Sequence, residues 1–258
     1  MWGRFPVLNS IRPLTAFAIA AALPIAASAT TVSPIVLDLQ TTGRGVVANV
    51  TVTNTSAGPM TMEIATIPLK PTATGFDQVD GKNADEDLLV SPPTALIPAG
   101  QAQNFRVQWI GDPELDGSKH YYVSVNQIPV KLPNNVSAVQ VVYDFQVLVS
   151  VSSADKRPQL TVTAVSSGTD KGNAVAAVSV QNSGGAHGYI SQHKLKITEM
   201  SATGAELLSK TISGAEFRQI VGYGLVASGQ TRTVNVPLDK APPPGARLSA
   251  VLTDERAQ

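Results

Sequence analysis

The chain has 258 residues, balances 19 basic against 19 acidic side chains, and contains no cysteine. That balance gives no electrostatic footprint for a nucleic-acid partner, and the missing cysteines exclude thiol nucleophiles, disulfide staples and Cys-ligated metals. With 43% hydrophobic residues and enough length for one large or two ordinary domains, the fold must be held by its own apolar cores.

Taken in order, the chain begins with Arg4 and Arg12, an uncharged apolar run from Leu14 to Ala27 containing Pro24, and the small-residue triplet Ala27-Ser28-Ala29. The run is shorter than the roughly 20 residues a transmembrane helix needs. Residues 1–29 are therefore expected to be a cleaved signal peptide, with the mature chain exported. Their loss removes two arginines and no acid, so the mature chain is slightly acidic. No later stretch is apolar enough to span a bilayer.

From Thr30 the sequence is a succession of short runs rich in Val, Ile, Thr and Tyr, separated by Gly, Pro, Asn and Asp. Val32 to Leu39, Val46 to Thr53, Met60 to Ile67, Gln103 to Trp109 and Tyr121 to Ile128 are predicted strands. The region from Lys70 to Leu89 is predicted to be a polar loop or short hairpin. A long strand from Ala138 to Val151 follows. At period two it places Val139, Val141, Tyr143, Phe145, Val147, Val149 and Val151 on one face, with Gln140, Asp144, Gln146 and Ser150 on the other. The polar run from Ser152 to Pro158 is read as a linker. The strand pattern then restarts at Leu160 to Val165, Asn173 to Gln181, Ile190 to Glu199, Glu206 to Ile212, Thr231 to Leu238 and Arg247 to Thr253. No segment keeps a helical period over three turns. The two halves form a weak internal repeat, each with a strand leading into an asparagine, Asn54 or Asn182, and a later Gly-Gln turn, Gly100-Gln101 or Gly229-Gln230. These features predict an all-β chain of two β-sandwich domains in tandem, residues 30–153 and 154–258.

Catalytic chemistry finds little support. His120, His187 and His193 follow no ligand spacing, and His187 is read as a polar loop residue. Asp85-Glu86-Asp87 lacks the alternating ligands and glycine of a calcium loop and is read as solvated. Ser152-Ser153 and Ser166-Ser167 have no nucleophile-elbow context, and Asn54-Thr55-Ser56 and Asn135-Val136-Ser137 match a glycosylation pattern that here marks exposed turns. The chain is read as a non-enzyme without cofactor or metal, acting by binding. The Val139 to Val151 stripe then has two readings: an ordinary strand facing its own core, or an edge offered to a partner.

Several stretches together resemble the PapD-like periplasmic pilus chaperones. Ser91-Pro92-Pro93 followed by Pro98-Ala99-Gly100-Gln101-Ala102-Gln103 and Arg106-Val107 is similar to that family's Pro-Pro, Pro-x-Gly-x-x-Gln and Arg-Val pattern. Tyr121 to Pro129 resembles its Tyr-rich strand ending in Glu-Ile-Pro, with Gln127 in the place of Glu. Asn54 with Pro59, and Asn182 with His187, resemble its two turn motifs. The resemblance covers essentially the whole mature chain. It implies two immunoglobulin-like domains set at an angle and a pilus subunit as partner, with an outer-membrane usher as a further candidate. It also implies donor-strand complementation, in which alternate apolar side chains of one chaperone strand fill the groove of an incomplete subunit. On this resemblance Val139, Val141, Tyr143 and Phe145 would be the inserted residues. The Arg and Lys with which the family anchors a subunit's terminal carboxylate are replaced by Val36 and Leu148. Either another base, such as Arg106, Lys156 or Arg157, takes that role, or the subunit is gripped differently. The alternative reading is a structural or adhesive pilus-associated or cell-surface protein built of tandem sandwiches.

Overall fold

The computed structural model describes residues 30–81, 84–129 and 141–254. The period-two runs of the first half form β1 (Thr31–Ser33), β2 (Val36–Gln40), β3 (Val47–Thr53), β4 (Met60–Pro71), β5 (Phe76–Gln78), β6 (Leu88–Ser91), β7 (Thr94–Ile97), β8 (Ala102–Trp109), β9 (Ser118–Gln127) and β10 (Asp144–Ser152). One sheet has the order β1-β3-β8-β6. The other runs β2-β10-β9-β4-β5, with β7 paired to β4. Alternation along the strands sends Val50, Val52, Phe105 and Val107 from the first sheet, and Met62, Tyr121, Val123, Val125, Val147, Val149 and Val151 from the second, into one buried core.

The second half forms β11 (Leu160–Asp170), β12 (Asn173–Asn182), β13 (Gly188–Tyr189), β14 (His193–Met200), β15 (Glu206–Ile212), α1 (Gly214–Ile220), β16 (Leu225–Val226), β17 (Thr231–Pro237) and β18 (Arg247–Asp254). Sheets β11-β12-β17 and β15-β14-β18, with the short β13-β16 pair, enclose a second core around Val178, Val180, Leu195, Ile197, Phe217 and Val234. Among the described residues no ladder joins a strand of one half to a strand of the other. The architecture is the expected all-β pair of immunoglobulin-like sandwiches.

The internal repeat is built from matching atoms. Asn54 and Asn182 are both fully buried. The Asn54 side-chain amide donates to the Gly58 and Ile97 carbonyls, at 2.9 Å each, and its Oδ1 accepts from the Ser56 amide at 3.0 Å. Asn182 repeats this: its amide donates to Ala186 and Val226 at 2.8 and 3.1 Å, and its Oδ1 accepts from the Gly184 amide at 3.0 Å. Each asparagine backbone N–H also donates, at 2.9 Å, to the glutamine of its Gly-Gln turn, Gln101 or Gln230. One side chain thus ties its own turn to a second segment by donating to a carbonyl of each.

Four local expectations are corrected. The predicted Val32 to Leu39 strand is two strands in different sheets, with Pro34, which has no N–H to give to a ladder, between them. Ile190 to Glu199 opens with a turn of 3-10 helix, Ile190–Gln192, before β14 begins. The seven-residue helix α1 was not foreseen; Ser213 caps it by accepting the Glu216 amide at 3.2 Å, and two turns are too short to register as a period. The strand expected from Ala138 starts at Asp144 instead. Its partner β9 ends at Gln127, whose side-chain Oε1 accepts the Tyr143 amide at 3.1 Å, so residues 141–143 leave the ladder. Ala138 to Gln140, including Val139, lie outside the described residues, as do residues 1–29 and the Asn135 motif. The Lys70 to Leu89 region contains the foreseen short hairpin, since β4 runs on to Pro71 and pairs with β5.

Candidate functional site: an open strand edge beside an interdomain cleft

β10 is covered unequally on its two edges. Along one edge it pairs with β9 over its whole length, from Asp144 opposite Asn126 to Ser152 opposite Ser118. Along the other it pairs in parallel with β2, but only from Leu148 onward, where the Leu148 N–H donates to the Ile35 carbonyl at 3.0 Å. The parity of these bonds fixes which backbone groups are free. The Gln127 N–H donates to the Tyr143 carbonyl at 2.8 Å, so odd-numbered residues point their amides and carbonyls toward β9. The backbone groups of Asp144 and Gln146 point the other way, where no described strand meets them.

Side chains follow the same parity. Val147, Val149 and Val151 are buried in the first core, whereas Tyr143 and Phe145 are partly buried at its end, their rings stacked at 5.7 Å. Val141 is 63% exposed, with the neighbouring Val142 at 46% and, across the open edge, Ile35 at 56%. Of the four residues singled out for insertion, Val141 is therefore free, Tyr143 and Phe145 are shared with the domain's own core, and Val139 is not described.

Val36 and Leu148 face one another in register across β2 and β10. With Phe76 they pack against Tyr189, Leu225 and Ala227 of the second sandwich, forming an apolar seam between the domains. Beside the seam opens a cleft of about 760 Å³ lined by Val36, Asp38, Arg157, Tyr189, Arg218 and Tyr223, among others. Of the three bases considered from the sequence, Arg157 lines this cleft, where its Nη1 donates to the Ala154 and Lys156 carbonyls at 2.7 Å. Lys156 lines a separate hollow with Glu114 and Asp155, and Arg106 lies on β8 in the other sheet, opposite Asn49 and Ser91. Arg218 was missed because it rides on α1.

A polar cluster completes the junction. His187 is a polar residue of the loop between β12 and β13, as read, and is buried there: its backbone N–H donates to Ser118 Oγ at 2.7 Å and its Nε2 lies 2.9 Å from Asp38 Oδ1. The Tyr189 hydroxyl donates to the same Asp38 oxygen. Burial alone would raise the Asp38 carboxyl, but the hydrogen bonds from His187 and Tyr189 outweigh it and hold the group below its ordinary 3.8. Burial pushes His120 down to about 3, with His187 adding to the shift and Asp38 opposing it. Burial and the Asp38 charge both raise the Tyr189 phenol. Asp87, read as solvated, instead binds Lys119 Nζ at 3.0 and 3.1 Å and accepts the Tyr121 hydroxyl at 2.6 Å. Among the described residues no group of three or more His, Cys, Asp or Glu is arranged to hold a metal, and no helix is long and apolar enough to cross a membrane.

No family model matches the sequence, and a search of curated proteins finds no significant match. Solved structures do match. The class 5 fimbriae chaperone CfaA superposes with a TM-score of 0.52 at 15% identity, covering 87% of this chain and all of that one. A chain from a chaperone–tip adhesin complex of CFA/I fimbriae biogenesis superposes with a TM-score of 0.50 at 14% identity, covering 87% of this chain and 99% of that one. The chain shares the overall fold of these fimbrial chaperone structures.

Proposed function

We propose that this protein is a periplasmic chaperone for pilus subunits and that it holds its client by donor-strand complementation along β10. The observation that carries the proposal is the half-open edge. From Asp144 to Val147 the strand is ordered by β9 on one side and free on the other, and the free segment continues into exposed Val141 and Val142. Such an edge would be an aggregation hazard unless something covers it. A client strand laid against it gains main-chain hydrogen bonds, while Val141, Tyr143 and Phe145, standing at alternate positions, supply apolar groups to its groove. At about 1.5–3 kcal/mol for a side chain fully buried, exposed Val141 would contribute that much before the cost of association, and the already partly buried Tyr143 and Phe145 less each. Residues 1–29 serve as the export signal in this reading, and residues 30–153 and 154–258 are the two domains.

Co-expression of the mature chain with a pilus subunit of the same organism tests it. The chaperone is expected to copurify one to one with a subunit that is unstable alone. Val141→Asp should abolish capture while leaving the chaperone's thermal unfolding unchanged, because Val141 is largely solvent-exposed. Normal capture by a folded Val141→Asp protein would show that this edge is not the binding element.

A further inference from the structure

The seam between the sandwiches contains a group for which the edge model has no use. His120 on the outer face of β9 is only 2% exposed. Its Nδ1 lies 2.9 Å from Ser150 Oγ, and its Nε2 has no hydrogen-bond partner among the described residues. Phe76 of β5 covers one side of the ring, with centroids 4.9 Å apart, and the ring of His187 from the second sandwich meets it edge-on at 5.6 Å. The titratable and charged groups around this point are few. β2 brings Asp38, whose carboxylate is already engaged by His187 and Tyr189 of β13. Tyr223, from the segment before β16, meets Tyr189 edge-on, and Arg232 of β17 directs Nη1 to the Leu225 carbonyl. In this arrangement no acceptor meets a second imidazole N–H on His120 among the described residues, and an added positive charge there would stand beside His187.

We propose that the domain junction is an acid-sensitive latch: His120 can take up a proton only when the second sandwich moves away, so falling pH loosens the closed arrangement of the two domains. The sign follows from proton counting. A histidine whose ring is held neutral in the closed state and hydrated in the open one makes the open state bind more protons, so closure is fully stable above the ordinary histidine value and weakens below it. With an ordinary value near 6.5 in the open state, the opening equilibrium should rise about tenfold between pH 7.5 and pH 5.5.

Two hydrogen bonds across the junction report on it directly: the His187 N–H to Ser118 Oγ and the Thr233 N–H to the Ala73 carbonyl, at 2.7 and 2.9 Å. Native-state hydrogen exchange of the mature chain, corrected for the intrinsic pH dependence, should show both amides losing about tenfold in protection from pH 7.5 to 5.5. Amides inside each sandwich, such as those of Val123 and Leu195, should keep theirs. In His120→Gln, a neutral side chain of similar reach, the two reporters should stay flat within about twofold over the same range. Equal pH dependence in wild type and His120→Gln, or none in wild type, overturns the proposal. A readout that needs no variant is the NMR titration of the His120 ring. Protonation near pH 6.5 while the two reporters remain fully protected would also overturn it.

Discussion

Proline scanning along β10 separates the open edge from the paired one within a single strand. At Gln146 the amide points away from β9, so Gln146→Pro removes no ladder bond and directs its ring into the space beside the open edge. At Val147 the amide points to β9 opposite Val123 and the side chain is fully buried. Val147→Pro therefore loses a ladder bond and core packing together, for about 3 kcal/mol or more, whereas Gln146→Pro should change the stability of the free protein by less than about 1 kcal/mol. For a client paired along the edge the order reverses. Gln146→Pro deletes one interchain hydrogen bond and leaves a client carbonyl unsatisfied, a loss of about 1–3 kcal/mol, or roughly 5- to 150-fold in affinity. The assay is urea denaturation of each variant alone, followed by titration of Gln146→Pro with a purified pilus subunit. If Gln146→Pro unfolds as readily as Val147→Pro, the parity of the strand is misassigned. If it folds and binds like the wild type, the open edge is not where the client lies.

The twin asparagines should differ somewhat in weight: Asn182→Ala strands two buried carbonyls and should cost about 2–4 kcal/mol in denaturant unfolding, whereas Asn54→Ala strands only the buried Ile97 carbonyl, because the part-buried Gly58 carbonyl also accepts the Ser56 hydroxyl, and should cost about 1–3 kcal/mol. Tyr121→Phe keeps the buried ring and removes only the hydroxyl bond to Asp87, so a loss of about 1.5–3 kcal/mol is expected by the same measurement, with the Lys119 contact to Asp87 retained. Asp38 has a lowered carboxyl, so its contribution is present above about pH 3.8 and disappears as the pH falls below that value. Asp38→Asn should accordingly lower the melting temperature at pH 7 and converge with the wild type in acid, once the pH has fallen through the lowered carboxyl value, as differential scanning calorimetry would show.

Strand content was legible because alternation is a local property, and every buried valine on β10 from Val147 onward was named by it. What alternation cannot register is where a ladder stops. The end of β10 depends on Gln127, whose side chain takes the Tyr143 amide that its own carbonyl would have held. The turn asparagines were visible as spacing, but their bonds to Ile97 and Val226 join segments 43 and 44 residues away. The polar cluster escaped notice for a similar reason. Asp38, His120 and His187 are far apart in sequence and meet only because the second sandwich covers the outer face of β2, β9 and β10. Arg218 depended on a helix too short to have a detectable period.

The single backbone bond from Thr233 to Ala73 has a bearing on solubility. β17 borders its sheet, and the turn between β4 and β5 lies against that border. The first domain thus acts as a chaperone to the second in the most literal sense, occupying an amide that another copy could otherwise recruit into a growing sheet. A fragment beginning at residue 154 lacks this cover, and any widening of the junction uncovers it in the intact chain. Resistance to self-association is in this respect a property of the tandem and not of either sandwich alone.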